Sequence, residues 1–163
     1  MKFNISILVC FLAFITNAQN SVEELLQHYN TKNIPYITVQ ELAMPKTKVI
    51  LLDAREKHEF NISHLKNAIF IGHKHFSIDS ALNKVPNKNE TIVVYCSIGV
   101  RSETIAYKLK KAGYKHVFNL YGGIFEWKNH NLPIYNLKEK ETDSIHVYSA
   151  VWERWLKNGY KVF

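Results

Sequence analysis

The chain has 163 residues, which is enough for one ordinary domain with a single core and too few for two. Apolar residues make up 47% and charged residues 21%, so a disordered chain and a multi-span membrane protein are both excluded. The formal net charge is +7, but the lysines are scattered and no aromatic-basic motif accompanies them. The charge therefore predicts a basic surface that attracts small anions, and nucleic acid is not an expected partner.

The first 18 residues have the pattern of a signal peptide. Lys2 precedes an apolar stretch over residues 5–15, and Thr16-Asn17-Ala18 places small residues where a signal peptidase cleaves. About 11 apolar residues are too few to cross a bilayer of about 30 Å, so we expect no stable membrane span. The pattern predicts cleavage after Ala18 and export to a periplasm or out of the cell. An uncleaved anchor is the alternative.

Helical and strand patterns alternate after the leader. The capping-box pairs Ser21 with Glu24 and Thr38 with Glu41 each open a short helix, the first over residues 22–29. Continuous apolar runs predict buried strands at residues 49–52, 68–71, 91–95 and 117–120. Helical patterns follow them, at residues 56–60, 77–82 and 101–111 and after residues 122–123. This alternation predicts an α/β domain over residues 19–137, with a small, mostly parallel sheet flanked by helices on both faces.

The sequence changes character after Pro133. Residues 138–143 are charged and typical of a linker. Trp152, Trp155 and Leu156 then recur at helical spacing, which predicts a C-terminal helical extension that packs back on the domain. A contact of the two tryptophans with a partner or a membrane is the alternative.

Cys96 lies between the third apolar run and the helical pattern that follows it. A thiol at the start of a helix meets backbone N–H groups and the positive end of the helix dipole, which together favour a negatively charged sulfur. The guanidinium of Arg101 strengthens this effect and can hold an oxyanion by two hydrogen bonds. Once the leader is removed, Cys96 is the only cysteine, so no internal disulfide can form. An inert apolar cysteine is the alternative.

Four short motifs follow one another along the chain. They are Leu51-Leu52-Asp53-Ala54-Arg55, His64-Leu65 with Ala68, Cys96-x-x-Gly99-x-Arg101, and Tyr121-Gly122-Gly123-Ile124-x-x-Trp127. Taken in this order they resemble the single-domain rhodanese family of sulfurtransferases over about residues 34–135. The resemblance implies that Cys96 attacks the outer sulfur of thiosulfate or a related sulfane-sulfur donor, becomes a persulfide, and passes that sulfur to a thiol, cyanide or a protein. It also implies that no metal and no organic cofactor is needed.

The same resemblance implies roles for the remaining motif residues. Arg55 either steers the anionic donor at the pocket mouth or forms a structural pair with Asp53. His64 fixes the loop before the second strand by a hydrogen bond, and Asn67 stands where the family usually has a glycine. The backbone amides that bind the donor belong to Ser97, Ile98, Gly99, Val100 and Arg101, while Gly122 and Gly123 form a tight turn above Trp127.

The length of the loop separates related chemistries. A six-residue loop such as Cys96–Arg101 accompanies sulfur transfer in this family, whereas the phosphatase and arsenate-reductase relatives carry one residue more. Ile98 and Val100 make the loop more apolar than in many relatives, which leaves the donor open. Two other functions also stay open: a noncatalytic rhodanese-like binding module, and a thiol redox or sulfide-sensing protein.

Overall fold

The central sheet has five strands, and neighbouring strands are all parallel. The computed structural model describes residues 21–163, so the predicted signal peptide lies outside the described residues. In chain order the strands are β1 Tyr36–Ile37, β2 Ile50–Asp53, β3 Ile69–Phe70, β4 Thr91–Tyr95 and β5 His116–Leu120. Their spatial order is β1-β5-β4-β2-β3, which places β4, the strand before Cys96, in the middle.

Helices cover both faces of this sheet. Along β4, Ile92 and Val94 belong to one core cluster, and Val93 and Tyr95 belong to the other. This alternation is the two-residue period of a strand buried on both sides, and it confirms the predicted fold class. Within residues 21–163 the α-helices are α1 Val22–Tyr29, α2 Val39–Leu42, α3 Lys57–Ile62, α4 Ile78–Lys84, α5 Val100–Lys111 and α6 Gly123–Asn129.

Local sequence accounts for several helix ends. Ser21 and Thr38 both form the predicted capping boxes, so α1 and α2 begin directly after them. Asn67, before β3, adopts a φ of 60°, a left-handed conformation that asparagine tolerates. None of the helices described in residues 21–163 has the length and hydropathy that a membrane span requires.

The C-terminal segment differs from the predicted helix. It forms β6 Ile134–Tyr135, which pairs with β7 Glu141–Thr142, and β8 Ser144–His146, which pairs with β9 Tyr160–Val162. A 3₁₀ helix, Glu153–Trp155, is its only helical turn in the described chain.

Tertiary packing explains why the helix prediction was wrong. Ile145 and Val147 are β-branched, which favours an extended backbone, and both side chains are fully buried in the core. Trp152 and Leu156 also reach this core, as their spacing suggested, but they do so from either end of the 3₁₀ turn. The segment therefore packs on the domain, as predicted, without being an α-helix.

Candidate active site

The thiol of Cys96 lies at the carboxyl end of the central strand, the edge where open α/β sheets bind ligands. The residue is only 1% exposed, and it is the free cysteine of the described chain. The backbone N–H of Gly99 donates to Cys96 Sγ at 3.1 Å. Gly99 has a φ of 106° and directly precedes α5, so the loop turns its amide back onto the sulfur.

The loop is fastened on one side by the start of α6. The carbonyl oxygens of Cys96 and Ser97 accept hydrogen bonds from the N–H groups of Ile124 and Phe125, at 2.9 and 3.1 Å. Gly123 permits this approach because its backbone has a φ of 58° and carries no Cβ. The predicted tight turn at residues 122–123 therefore lies directly against the candidate nucleophile.

A buried amide fastens the loop on its other side. Asn119 is fully buried, and its Nδ2 donates to the carbonyl oxygen of Gly99 at 2.8 Å. Ser102 Oγ donates to Asn119 Oδ1 at 2.7 Å and lies 3.5 Å from Cys96 Sγ. Asn119 was not among the residues predicted from the sequence, although a polar residue between Phe118 and Leu120 in a buried strand is a usable signal.

Arg101 lines the site, but its guanidinium is already paired. Its Nη1 and Nη2 donate to the two carboxylate oxygens of Glu59 at 2.6 and 2.8 Å. Nη2 also donates to Ser97 Oγ at 2.9 Å, and the ring of Tyr148 lies 4.4 Å from the guanidinium carbon. Glu59 is fully buried on α3, 42 residues from Arg101 in the sequence, and sequence reasoning missed it.

Mutual pairing keeps both of these groups charged. Burial alone would raise the pKa of Glu59, but the hydrogen bonds and charge of Arg101 hold the pKa of Glu59 below its ordinary value of 4.5. Burial alone would lower the pKa of Arg101, but the hydrogen bonds with Glu59 and the negative charge of that carboxylate raise it. The pair therefore stands beside the thiol as a positive and a negative charge in fixed positions.

Glu59→Gln is expected to lower the free energy of unfolding most at neutral pH. A carboxyl group with a depressed pKa in the folded state stabilises the fold above its unfolded pKa, near 4.5, and loses that contribution as the pH falls through the folded pKa. The difference from wild type should therefore shrink as the pH falls from about 5 to about 3. Urea denaturation at a series of pH values measures it, with exposed Glu90→Gln as the control. A difference independent of pH would contradict this role for Glu59.

A cavity of about 150 Å³ opens above the thiol. The loop contributes most of its lining, namely Cys96, Ser97, Ile98, Val100 and Arg101. Tyr148 and Trp152 from the C-terminal segment complete the lining. The structure thus brings the predicted loop residues together around one pocket and adds two aromatic side chains that the sequence analysis had not assigned to it.

Arg55 does not lie at the mouth of this pocket. Its side chain is 0% exposed, and its Nη2 donates to Asp53 Oδ2 at 2.6 Å and to the carbonyl oxygen of Ser63 at 2.5 Å. A guanidinium enclosed in this way cannot meet an incoming anion. The steering role proposed for Arg55 is therefore wrong, and the alternative interpretation, a structural pair with Asp53, describes what the structure contains.

The remaining motif residues support the fold around the site. The ring of His64 stacks on Phe60 at 4.2 Å, and its Nδ1 lies 3.1 Å from the carbonyl oxygen of Phe60. The backbone of His64 pairs with Tyr135, which ties this loop to β6. Trp127 packs on the core and donates its indole N–H to the carbonyl oxygen of Pro133 at 2.9 Å. None of these contacts involves Cys96.

Comparison with known proteins assigns the central part of the chain to one family model. The model is described as Rhodanese-like domain, and it matches residues 38–130. This range contains Cys96, the loop and the Glu59–Arg101 pair. It ends before the segment that contributes Tyr148 and Trp152 to the pocket.

Curated relatives match the same region. The chain is 35% identical over 106 residues to the tRNA uridine(34) hydroxylase of Aster yellows witches'-broom phytoplasma (strain AYWB), which covers 58% of this chain and 32% of the relative. It is 28% identical over 100 residues to Thiosulfate sulfurtransferase GlpE of Coxiella burnetii (strain RSA 331 / Henzerling II), which covers 61% of this chain and 90% of the relative. The chain therefore spans about a third of the length of the phytoplasma relative.

Solved structures share the fold. The rhodanese-like domain of an Anabaena protein aligns with a TM-score of 0.57 at 22% identity, covering 65% of this chain and 82% of that chain. A thiosulfate sulfurtransferase from Pseudomonas aeruginosa aligns with a TM-score of 0.57 at 20% identity, covering 69% of this chain and 21% of that chain. At these identities the similarity concerns the fold alone.

Proposed function

We propose that this chain, which belongs to the rhodanese-like domain family, is an exported sulfurtransferase that carries sulfur as a persulfide on Cys96. The observation that carries the proposal is the position of the thiol. Cys96 Sγ lies at the base of a pocket, at the start of a helix, and accepts the N–H of Gly99 at 3.1 Å. Backbone N–H groups at the start of a helix favour the thiolate, which is the attacking form of cysteine.

The first half-reaction loads the thiol. The Cys96 thiolate attacks the outer sulfur of thiosulfate, a new S–S bond forms, and the bond to the sulfonate sulfur breaks so that sulfite leaves with the electron pair. The negative charge now lies on the outer sulfur of the persulfide. Amides of the loop and of the first turn of α5, which have no partner within the helix, are suited to stabilise that charge.

The second half-reaction returns the enzyme to its starting state. A thiolate or cyanide attacks the outer sulfur, takes it, and releases the Cys96 thiolate.

The tRNA uridine(34) hydroxylases match this chain over only about a third of their length, so the proposal rests on the domain that the proteins share. The name of the Coxiella relative, which the match covers over 90% of its length, supports thiosulfate as a donor to test first.

Intact mass spectrometry tests the proposal. After incubation with thiosulfate or methanethiosulfonate and removal of excess donor, we expect the mass to rise by about 32 Da, one sulfur atom, and to return to its first value when a thiol is added. Cys96→Ser should gain nothing. For protein isolated from an exporting host, the same spectrum reports whether the chain begins after Ala18.

Other outcomes favour the other functions. An unchanged mass with every donor would favour a noncatalytic binding module. A gain of about 16 Da with peroxide, one oxygen atom, together with no gain from sulfur donors, would favour a thiol redox protein. Either result would overturn the assignment as a sulfurtransferase.

A further inference from the structure

We propose that residues 147–156 of the C-terminal segment make the Cys96 pocket selective for one class of sulfur donor. The preferred donors carry one negative charge and an apolar organic group, as organic thiosulfonates do, and the dianion thiosulfate is a poorer donor. This inference rests on the proposed function and names its substrate class. It concerns Tyr148 and Trp152, which lie beyond residue 130, where the match to the family ends.

The lining of the pocket is mostly apolar. Ile98 and Val100 from the loop and Tyr148 and Trp152 from the C-terminal segment all line a cavity of about 150 Å³. An apolar cavity of about this volume has room for a ring of the size of benzene. An organic group on the donor would therefore replace water against aliphatic and aromatic surface, which is favourable.

The polar side chains at the pocket are already paired with one another. Arg101 is the one charged side chain among the described residues that line it, and Glu59 neutralises Arg101 through two hydrogen bonds. Ser97 Oγ accepts from Arg101, and the ring of Tyr148 covers the guanidinium. A dianion entering this site would lose its hydration without gaining an unpaired cation, and that loss is costly.

The fold holds the two aromatic side chains of the pocket, Tyr148 and Trp152, in place. Before them in the chain, Val147 is fully buried, and its N–H donates to the carbonyl oxygen of Val162 at 2.9 Å. After them, Leu156 is buried in the core. Between them the backbone of Tyr148 adopts a φ of 66°, and its N–H donates to His146 Nδ1 at 2.9 Å. These anchors hold Tyr148 over Arg101.

Trp152 lines two neighbouring cavities. It lines the thiol pocket, and it also lines a second cavity of about 470 Å³ beside α1, where its ring meets that of Tyr29 edge to face at 6.4 Å. Removal of the indole would join the two cavities. The organic group of the donor would then lose its main apolar contact, whereas the loop around Cys96 would stay in place.

The chemistry balances with such a donor. The Cys96 thiolate attacks the terminal sulfur of an organic thiosulfonate, an S–S bond forms to Cys96, and the bond to the sulfonyl sulfur breaks. The sulfinate leaves with that electron pair, and the persulfide keeps one negative charge. The thiol acceptor and the second half-reaction are those already proposed.

Steady-state kinetics with three donors tests the inference. Benzenethiosulfonate, methanethiosulfonate and thiosulfate are compared with one thiol acceptor. In wild type we expect kcat/KM to fall in that order. Trp152→Ala should lower kcat/KM for benzenethiosulfonate about tenfold while leaving thiosulfate and methanethiosulfonate within about threefold. Trp152→Leu, which keeps apolar surface, should lie between Trp152→Ala and wild type.

The controls separate selectivity from folding and from the proposed function. Tyr160→Ala removes an aromatic ring that is 71% exposed on β9, outside residues 147–156, and it should leave all three values unchanged. A wild-type preference for thiosulfate, or an equal loss for all donors in Trp152→Ala, would overturn the inference and leave the sulfurtransferase standing. Failure of every donor to load Cys96 would instead overturn the proposed function.

Discussion

Arg55→Met is expected to lower the free energy of unfolding by about 3 to 5 kcal/mol, because it leaves the carboxylate of Asp53 buried without its cation. Both side chains are 0% exposed. The Arg55 Nε and Nη2 donate to Asp53 at 3.1 and 2.6 Å, and methionine fills much of the same volume without supplying either bond. Urea denaturation at neutral pH measures the loss.

A double variant isolates the charge effect. Asp53→Asn combined with Arg55→Met removes both charges, but the amide oxygen of asparagine can still accept the backbone N–H of residue 55. We expect the double variant to recover at least about 1 kcal/mol relative to Arg55→Met alone. Lys46→Met, at an exposed position, controls for the loss of a cation and should change stability by less than about 0.5 kcal/mol. Near wild-type stability of Arg55→Met would show that the pair does not support the fold.

Gly123→Ala is expected to lower the free energy of unfolding by about 2 to 5 kcal/mol and to impair loading of Cys96 with sulfur. A Cβ on residue 123 would lie 2.6 Å from the carbonyl oxygen of Ser97 and closer still to that of Cys96. Backbone atoms cannot rotate away as a side chain can. The loop must therefore move, and the thiol moves with it.

Gly113→Ala is the matched control for this variant. Gly113 also has a positive φ, of 95°, but its added Cβ would meet only the side chain of Lys88, at 3.7 Å. We expect this control to lose about 1 to 2 kcal/mol from backbone strain and to keep full persulfide formation. Equal stability losses and equal loading in the two variants would contradict the proposed clash at the loop.

Local patterns were enough to predict the central domain except for β1, whose two residues, Tyr36 and Ile37, form no apolar run. The capping boxes at Ser21 and Thr38 marked helix starts, and the apolar run over residues 91–95 matched β4 because a strand buried on both faces needs no alternation. The position of Cys96 between that run and a helical pattern located the loop. The family that the four short motifs around Asp53, His64, Cys96 and Gly122 predicted is confirmed by the family model.

Contacts between distant segments could not be predicted in this way. Nothing local to Arg101 shows that Glu59 is its partner, because the fold alone brings α3 beside the loop. Arg55 and Arg101 are both arginines beside a strand end, and only burial separates the enclosed one from the one that lines the pocket. The spacing of Trp152 and Leu156 correctly indicated that both side chains reach the core. The pairing of β8 with β9, which makes the residues on either side of this turn extended, could not be predicted from that spacing.

The edge contact between Tyr29 and Trp152 links the two ends of the chain outside the range that the family model matches. One ring belongs to the helix that precedes that range and the other to the segment that follows it. A substitution at Tyr29 would therefore disturb the position of Trp152, and with it the lining of the pocket that contains Cys96, although Tyr29 itself does not line that pocket.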